Sequence, residues 1–159
     1  MKLARAIHLD ESDRNVFFSP ARTGEWCIAG GFEFSDWTQG DLVGKARQAF
    51  ANGWLGLETF GRVTFVAVTP VEAGEFEMLA DRLAQHFVDV YGAPDMGQAR
   101  PAALEELNFM AELCGGHGDN TLLTVQRELA AEGVRERFRA IEPRAAELEQ
   151  VAVHGSLDG

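Results

Sequence analysis

Positive charge, cysteine and long apolar runs are all scarce in this sequence. Its 159 residues include 14 Lys and Arg against 25 Asp and Glu, so the formal net charge is −11. Nucleic acids and anionic membrane surfaces are bound through clustered cations, so this charge argues against both as partners. Because no stretch of about 18 apolar residues is present, the sequence predicts no membrane-spanning helix.

Cysteine usage and the first residues indicate the compartment. The two cysteines, Cys27 and Cys114, lie far apart in the sequence. A chain of this mass buries roughly 70% of its unfolded surface on folding, so its core needs neither a disulfide nor a metal ion to be stable. Residues 1–10 contain no apolar signal core. We therefore predict a cytoplasmic protein with two reduced, buried thiols, no metal and no cofactor.

Several patterns typical of β-strands occur in the first half of the chain. Residues 2–9 show a period of two, and residues 16–18 form a β-rich run, so the two segments predict a hairpin. Residues 25–29 predict a third short strand, which residues 32–34 resume after a bend at two glycines. Residues 62–71 form a β-branched run that is typical of a covered, central strand.

Three segments show the spacing of helices. Residues 42–50 predict a first helix, with Asp41 as its N-cap and Gly53 just beyond its end. Residues 72–91 carry a sustained apolar stripe and predict the longest helix. A third helix is predicted to start near Pro101, because proline suits the first helical position, and to stop at a pair of glycines.

The last third of the chain predicts a second hairpin. Residues 121–129 and 134–141 are the strands, and residues 130–133 are the loop, which places Leu129 opposite Val134. The same register gives four further pairs: Glu128 with Arg135, Arg127 with Glu136, Val125 with Phe138 and Leu123 with Ala140. Two of these pairs join opposite charges, and each such pair contributes about 0.2–1 kcal/mol.

This order of elements predicts the α+β class. We expect an antiparallel sheet of five to six strands, built from the N- and C-terminal hairpins, with about three helices packed on one face. Residues 1–145 are expected to form a single domain. Residues 146–159 are expected to be a mobile C-terminal tail.

The only local concentration of cations lies on the last predicted strand. Arg135, Arg137 and Arg139 alternate along it, so they share one face of the sheet. One interpretation is a binding site for an acidic partner or a small anion. The alternative is a solvated sheet face that neighbouring carboxylates neutralise, which is common for surface charges.

Aromatic residues cluster in and around the glycine-rich connections. Rings at such positions can line a ligand pocket or a partner interface. They can equally form the edge of the hydrophobic core. The residues considered for a pocket are Trp26, Phe34, Trp37, Trp54 and Phe60.

Two short segments carry weaker signals. Residues 28–31 resemble, over four residues, the Leu-Ala-Gly-Gly opening of molybdenum-cofactor guanylyltransferases, and glycine-rich strand ends can cradle phosphates. The rest of that motif is absent and Glu33 would repel a phosphate, so a bend is the simpler interpretation. Cys114 and His117 could ligate zinc, but a structural site needs four ligands, and helix termination explains the glycines between them.

Three longer runs resemble a small family of unknown function from alphaproteobacteria. They are residues 45–61, residues 91–95 (Tyr-Gly-Ala-Pro-Asp) and residues 122–125 (Leu-Leu-Thr-Val). The resemblance implies a cytosolic bacterial protein with no established activity. It also implies a place among genes that mature molybdenum-dependent formate dehydrogenases, and hence an accessory role. The family supplies no functional residues to carry over.

These observations predict a non-catalytic accessory or protein-interaction module, in keeping with a role in metalloenzyme maturation. Its partner would be another protein, with neither nucleic acid nor membrane involved. The alternative is a small-ligand-binding or enzyme domain, with a pocket between the sheet and the loops around Gly30 and Trp54. A third hypothesis is a homodimer whose sheet faces pair.

Overall fold

In the computed structural model, which describes residues 1–9 and 15–142, seven strands form one sheet in the order β4-β3-β2-β1-β5-β6-β7. Every neighbouring pair is antiparallel. The strands are β1 (Lys2–Ile7), β2 (Trp26–Ile28), β3 (Trp54–Gly56), β4 (Arg62–Val63), β5 (Phe65–Pro70), β6 (Leu122–Ala130) and β7 (Gly133–Ile141). The predicted tail, residues 146–159, lies outside the described residues.

Three α-helices among the described residues complete the α+β fold. They are α1 (Gly44–Asn52), α2 (Ala73–Val90) and α3 (Met96–Gly115). Helix α3 packs on β1 and β2, α2 packs along α3, and α1 lies against β4 and β6. The predicted class and the antiparallel sheet are therefore confirmed, and the strand number is seven where five to six were expected. No described helix combines the length and the apolarity that crossing a membrane requires.

Helix α2 follows the predicted stripe, whereas α3 begins earlier than predicted. The buried residues of α2 recur on one side: Phe76, Leu79, Ala80, Leu83 and Ala84. Helix α3 starts after Asp95, whose side chain accepts a hydrogen bond from the N–H of Gln98. Pro101 therefore lies inside the helix and not at its first position, because a carboxylate N-cap satisfies the helix start better than proline does.

The N-terminal hairpin was the least accurate expectation. Residues 16–18 do not form a strand, and β1 pairs with β2 on one side and β5 on the other. The main chain at Ser19 and Ala21 instead bonds to Arg62, so this segment covers the outer side of β4. Residues 32–34 belong to a 3₁₀ turn, Gly31–Phe34, and do not resume β2.

The middle of the sheet also departs from the sequence pattern. Trp54 was expected to lie in a loop, but residues 54–56 form β3, which pairs with β2 and β4. The predicted continuous strand over residues 62–71 is divided at Thr64 into β4 and β5, which pair with different neighbours. Both errors concern two- or three-residue strands, whose existence depends on distant partners and not on local pattern.

The β6–β7 hairpin has the predicted register, although its loop is residues 131–132 and not the predicted residues 130–133, because Ala130 and Gly133 pair in the strands. All five predicted pairs occur, from Leu129 with Val134 to Leu123 with Ala140. Alternation then separates two sides of the hairpin. On one side, the β6 side chains of Leu123, Val125 and Arg127 point into the interior. On the other side, the alternate residues of both strands are exposed or half-buried.

The two edges of the sheet differ. The outer side of β4 is bonded to residues 19–21, whereas no hydrogen bond from the described residues reaches the outer side of β7. The side-chain amide of Asn52 donates to the carbonyl of Val125, 3.2 Å away, so this carbonyl points away from β7. Val125 pairs with Phe138, and main-chain groups alternate in direction along an antiparallel ladder. The N–H and C=O groups of Glu136, Phe138 and Ala140 therefore face the open edge.

This geometry predicts alternating amide hydrogen exchange along β7. The N–H groups of Glu136, Phe138 and Ala140 should exchange rapidly, because no described residue accepts a hydrogen bond from them at the open edge. Those of Arg137 and Arg139 should be protected, because they bond to β6. Exchange measured residue by residue by NMR checks this. Uniform protection along β7 would contradict an open edge.

Candidate functional site

The exposed side of the β6–β7 hairpin carries the predicted arginine stripe. We call this side the arginine face; its residues are Arg135, Arg137, Arg139, Thr124, Gln126 and Glu128. Arg135 is neutralised, since it bonds to Glu128 at 3.2 Å and to Glu132 at 2.6 Å. Within the described part of the chain, neither Arg137 nor Arg139 has a carboxylate within 4.0 Å.

A depression of about 360 Å³ lies beside these two arginines. Its walls come from β6, β7, the end of α1 and the residue between β4 and β5. The lining residues are Asn52, Thr64, Thr124, Val125, Gln126, Arg137, Phe138 and Arg139. These side chains supply amide, hydroxyl and guanidinium donors but no histidine, cysteine or carboxylate. The depression therefore suits binding of anionic groups, and its lining residues include no general base of the usual kinds.

Two other arginines, Arg62 and Arg127, are buried, with 5% of each residue exposed. Both donate to the carbonyl of Gly53, at 3.1 Å from Arg62 and 2.7 Å from Arg127. They also share the carbonyl of Ala29. Arg62 lies on β4 and Arg127 on β6, so these shared acceptors bring strands from opposite parts of the sheet together.

Each buried arginine has a carboxylate partner and an aromatic contact. Arg62 bonds to Glu33, and Arg127 bonds to Glu136 at 2.8 Å. Both guanidinium groups approach the ring of Phe34, at 4.6 Å and 5.3 Å from its centre. Such contacts are favourable when the cation is desolvated. These donors are occupied within the protein and cannot serve a ligand.

Burial lowers the pKa of both interior arginines. For Arg127, burial and then the neighbouring Arg62 lower the pKa to about 10. For Arg62, burial lowers the pKa and the adjacent Glu33 opposes this effect. A pKa of about 10 leaves Arg127 charged at neutral pH, so the interior keeps its cation and needs the carboxylate of Glu136.

A buried carboxylate organises the loop after β3. Glu25 is 4% exposed and accepts hydrogen bonds from the N–H groups of Glu58 and Thr59, at 3.0 and 2.9 Å. A Cβ atom at Gly56 would lie 2.0 Å from this carboxylate, so the position requires glycine. Glu25, which was predicted to begin a strand, thus lies just before β2 and has a structural role that the sequence pattern did not indicate.

The five aromatic residues considered for a pocket lie at four separate contacts. Trp26 lies under Arg5, and Trp54 contacts Phe138. The ring of Phe60 stacks on His86 with 3.7 Å between centres. Phe34 and Trp37 meet edge to face, beside the buried arginines. Trp26, Phe34 and Trp54 are buried core residues, and Trp37 and Phe60 are half-buried.

The first of the two glycines after β2 binds an arginine through its carbonyl group. Gly30 has a φ of 71°, and its carbonyl accepts a hydrogen bond from Arg62 at 3.1 Å. An added Cβ there would lie 2.5 Å from the Cβ of Leu55. The close packing and the left-handed conformation account for this glycine, as expected for a bend.

Cys114 and His117 also have local partners. Cys114 is fully buried in α3, while the ring of His117 bonds to Glu142 at 2.9 Å. Hydrogen bonds from His117 and Thr121 lower the pKa of Glu142. Among residues 1–9 and 15–142, no group of three or more His, Cys, Asp and Glu side chains is arranged to hold a metal ion.

Comparison with known proteins places the chain at the level of a family. The model of a family of unknown function, DUF6505, matches residues 1–159. No curated protein and no solved structure matches the chain. The comparisons therefore identify a family without assigning an activity, a ligand or a partner to it.

Neither thiol is expected to react in the native protein at about pH 8. Burial raises the pKa of Cys114 to about 12, and it raises the pKa of Cys27 well above its ordinary value. Because the thiolate is the reactive form, alkylation or disulfide exchange should be negligible until the protein unfolds. Titration with a coloured thiol reagent, with and without denaturant, measures this. Rapid modification of either cysteine in the folded protein would contradict it.

Proposed function

The chain belongs to the DUF6505 family, and we propose that it acts as a non-catalytic protein-interaction module whose arginine face binds an acidic partner. The observation that carries the proposal is the pair of exposed arginines, Arg137 and Arg139, that have no carboxylate partner among the described residues. They lie beside a depression lined with hydrogen-bond donors and without the usual general bases. Such a surface supports recognition better than catalysis.

The overall acidity of the chain does not cancel this local charge. Arg127 is paired with Glu136, and Arg135 with Glu128 and Glu132, whereas Glu142 bonds to His117 and Thr121. Arg137 and Arg139 therefore form a local cationic site on an acidic protein, which steers an acidic surface to this face.

The proposed setting is the bacterial cytoplasm, where the protein would serve as an accessory factor in the maturation of molybdenum-dependent formate dehydrogenase. The support is the resemblance of residues 45–61, 91–95 and 122–125 to a small alphaproteobacterial family, since that resemblance implies such a role. The alternative hypothesis, a ligand pocket around Gly30 and Trp54, has less support. Trp54 is fully buried, and the carbonyl of Gly30 is bound to Arg62.

Charge reversal on the arginine face tests the proposal. Arg137→Glu should weaken capture of the native partner by about tenfold or more, which corresponds to about 1.4 kcal/mol. The measurement is quantitative mass spectrometry of proteins retained from native lysate by the immobilised chain, followed by affinity measurement with the purified partner.

Arg82→Glu is the matched control, since Arg82 is exposed on α2, away from the arginine face. It changes the net charge by the same amount and should leave capture unchanged. Circular dichroism should show both variants folded. Equal retention of the same partner by wild type and Arg137→Glu, or the lack of any specifically retained protein, would overturn the proposed function.

A further inference from the structure

The open edge of β7 presents a row of main-chain hydrogen-bonding groups beside the arginine face. The opposite edge, β4, is covered by the chain itself through the bonds of Arg62 to Ser19 and Ala21. At β7, the N–H and C=O groups of Glu136, Phe138 and Ala140 face outward and bond to no described residue. An exposed edge of this kind is a template for strand addition by another chain.

We propose that this edge accepts an extended segment of the partner protein, in which acidic residues recur at every second position, as an eighth strand of the sheet. The inference rests on the proposed function, because the same arginines would contact the partner. It adds the conformation of the bound segment and the main-chain groups that hold it.

The charges on the arginine face explain why the segment would be acidic. A strand added to β7 places its alternate side chains about 4.5–5.5 Å from those of Arg135, Arg137 and Arg139. Arg137 and Arg139 then gain the carboxylates that the described chain does not supply. Opposite charges in such cross-strand positions are favourable, whereas like charges are destabilising.

The same rule argues against a second copy of this chain at the edge. In a two-fold antiparallel pairing of β7 with itself, the same face of each sheet continues across the junction. Every register centred on one of residues 135–139 therefore sets arginines from Arg135, Arg137 and Arg139 opposite one another. This repulsion disfavours self-association and selects a different, acidic partner.

The inner side of the β7 edge indicates which side chains the segment would carry at its non-acidic positions, since these alternate with the acidic ones and face inward. A depression of about 240 Å³ lies there, between the rings of Phe32 and Phe109 and beside the carboxylates of Glu105, Glu106 and Glu136. A lysine side chain fits it, because its apolar stem can lie on the rings and its ammonium group can reach the carboxylates. Burial, followed by the neighbouring Glu136 and Glu105, raises the pKa of Glu106, and a bound cation would relieve that repulsion.

The experiment uses a synthetic peptide, Glu-Val-Glu-Lys-Glu-Val-Glu, capped at both ends, and the full-length protein. Every pair in this sheet is antiparallel, and in an antiparallel addition the residues that enter the inner side, valine and lysine, donate their N–H groups to β7. N-methylation of these three residues should abolish binding measured by fluorescence anisotropy. N-methylation of the central glutamates, whose N–H groups point away from β7, should preserve it. In the complex, the amides of Glu136, Phe138 and Ala140 should become protected from exchange.

The outcomes separate this inference from the proposed function. If both N-methylated peptides bind alike while Arg137→Glu still weakens binding about tenfold, strand addition is wrong and the acidic-partner function stands. Unchanged binding by Arg137→Glu, with Arg82→Glu as the control, counts against both. Lack of peptide binding to the wild type overturns strand addition. The proposed function is then tested separately by the capture of a partner from native lysate. Concentration-dependent dimers that protect the β7 amides would also overturn it, because a second copy would be the occupant.

Discussion

Two buried arginines that share their acceptors hold the ends of the sheet together. Arg62 comes from the β4 edge and Arg127 from the penultimate strand at the other end, yet both donate to the carbonyls of Ala29 and Gly53. Phe34 lies within cation–π distance of both. A buried guanidinium is stabilised only when its donors and its charge are satisfied. Here carbonyls from loops satisfy the donors, so the arginines fix those loops as well as the strands.

The alternation of side chains along one hairpin divides its charges into two groups. Arg127 and Glu136 point inward and belong to the interior network, whereas Arg135, Arg137 and Arg139 point outward. Glu136, which lies opposite Arg127, therefore pairs with Arg127 in the interior. Arg137 and Arg139 are left without a carboxylate partner among the described residues. An inward-pointing charge is also one way in which proteins restrain an exposed edge strand. The hairpin thus supports the fold on one side and offers a surface for binding on the other.

Local features of the sequence predicted this hairpin but not the network it joins. Its register follows from loop length and a period of two, both of which are visible within about 20 adjacent residues. β3 has only three residues, and its existence depends on β2 and β4. Likewise, nothing near Arg62 or Arg127 in the sequence indicates that their acceptors lie at residues 29 and 53. The exposed arginine stripe could be found from the sequence because it is a property of one strand.

The most direct test compares an interior and an exterior arginine of the same hairpin by urea unfolding. Arg127→Met removes a buried cation and leaves Glu136 and several carbonyls without their donor, so the free energy of unfolding should fall by about 3–5 kcal/mol. Arg137→Met removes an exposed cation and should change it by no more than about 0.5 kcal/mol. Similar losses for the two variants would contradict the claim that one arginine maintains the fold while the other is free to bind a partner.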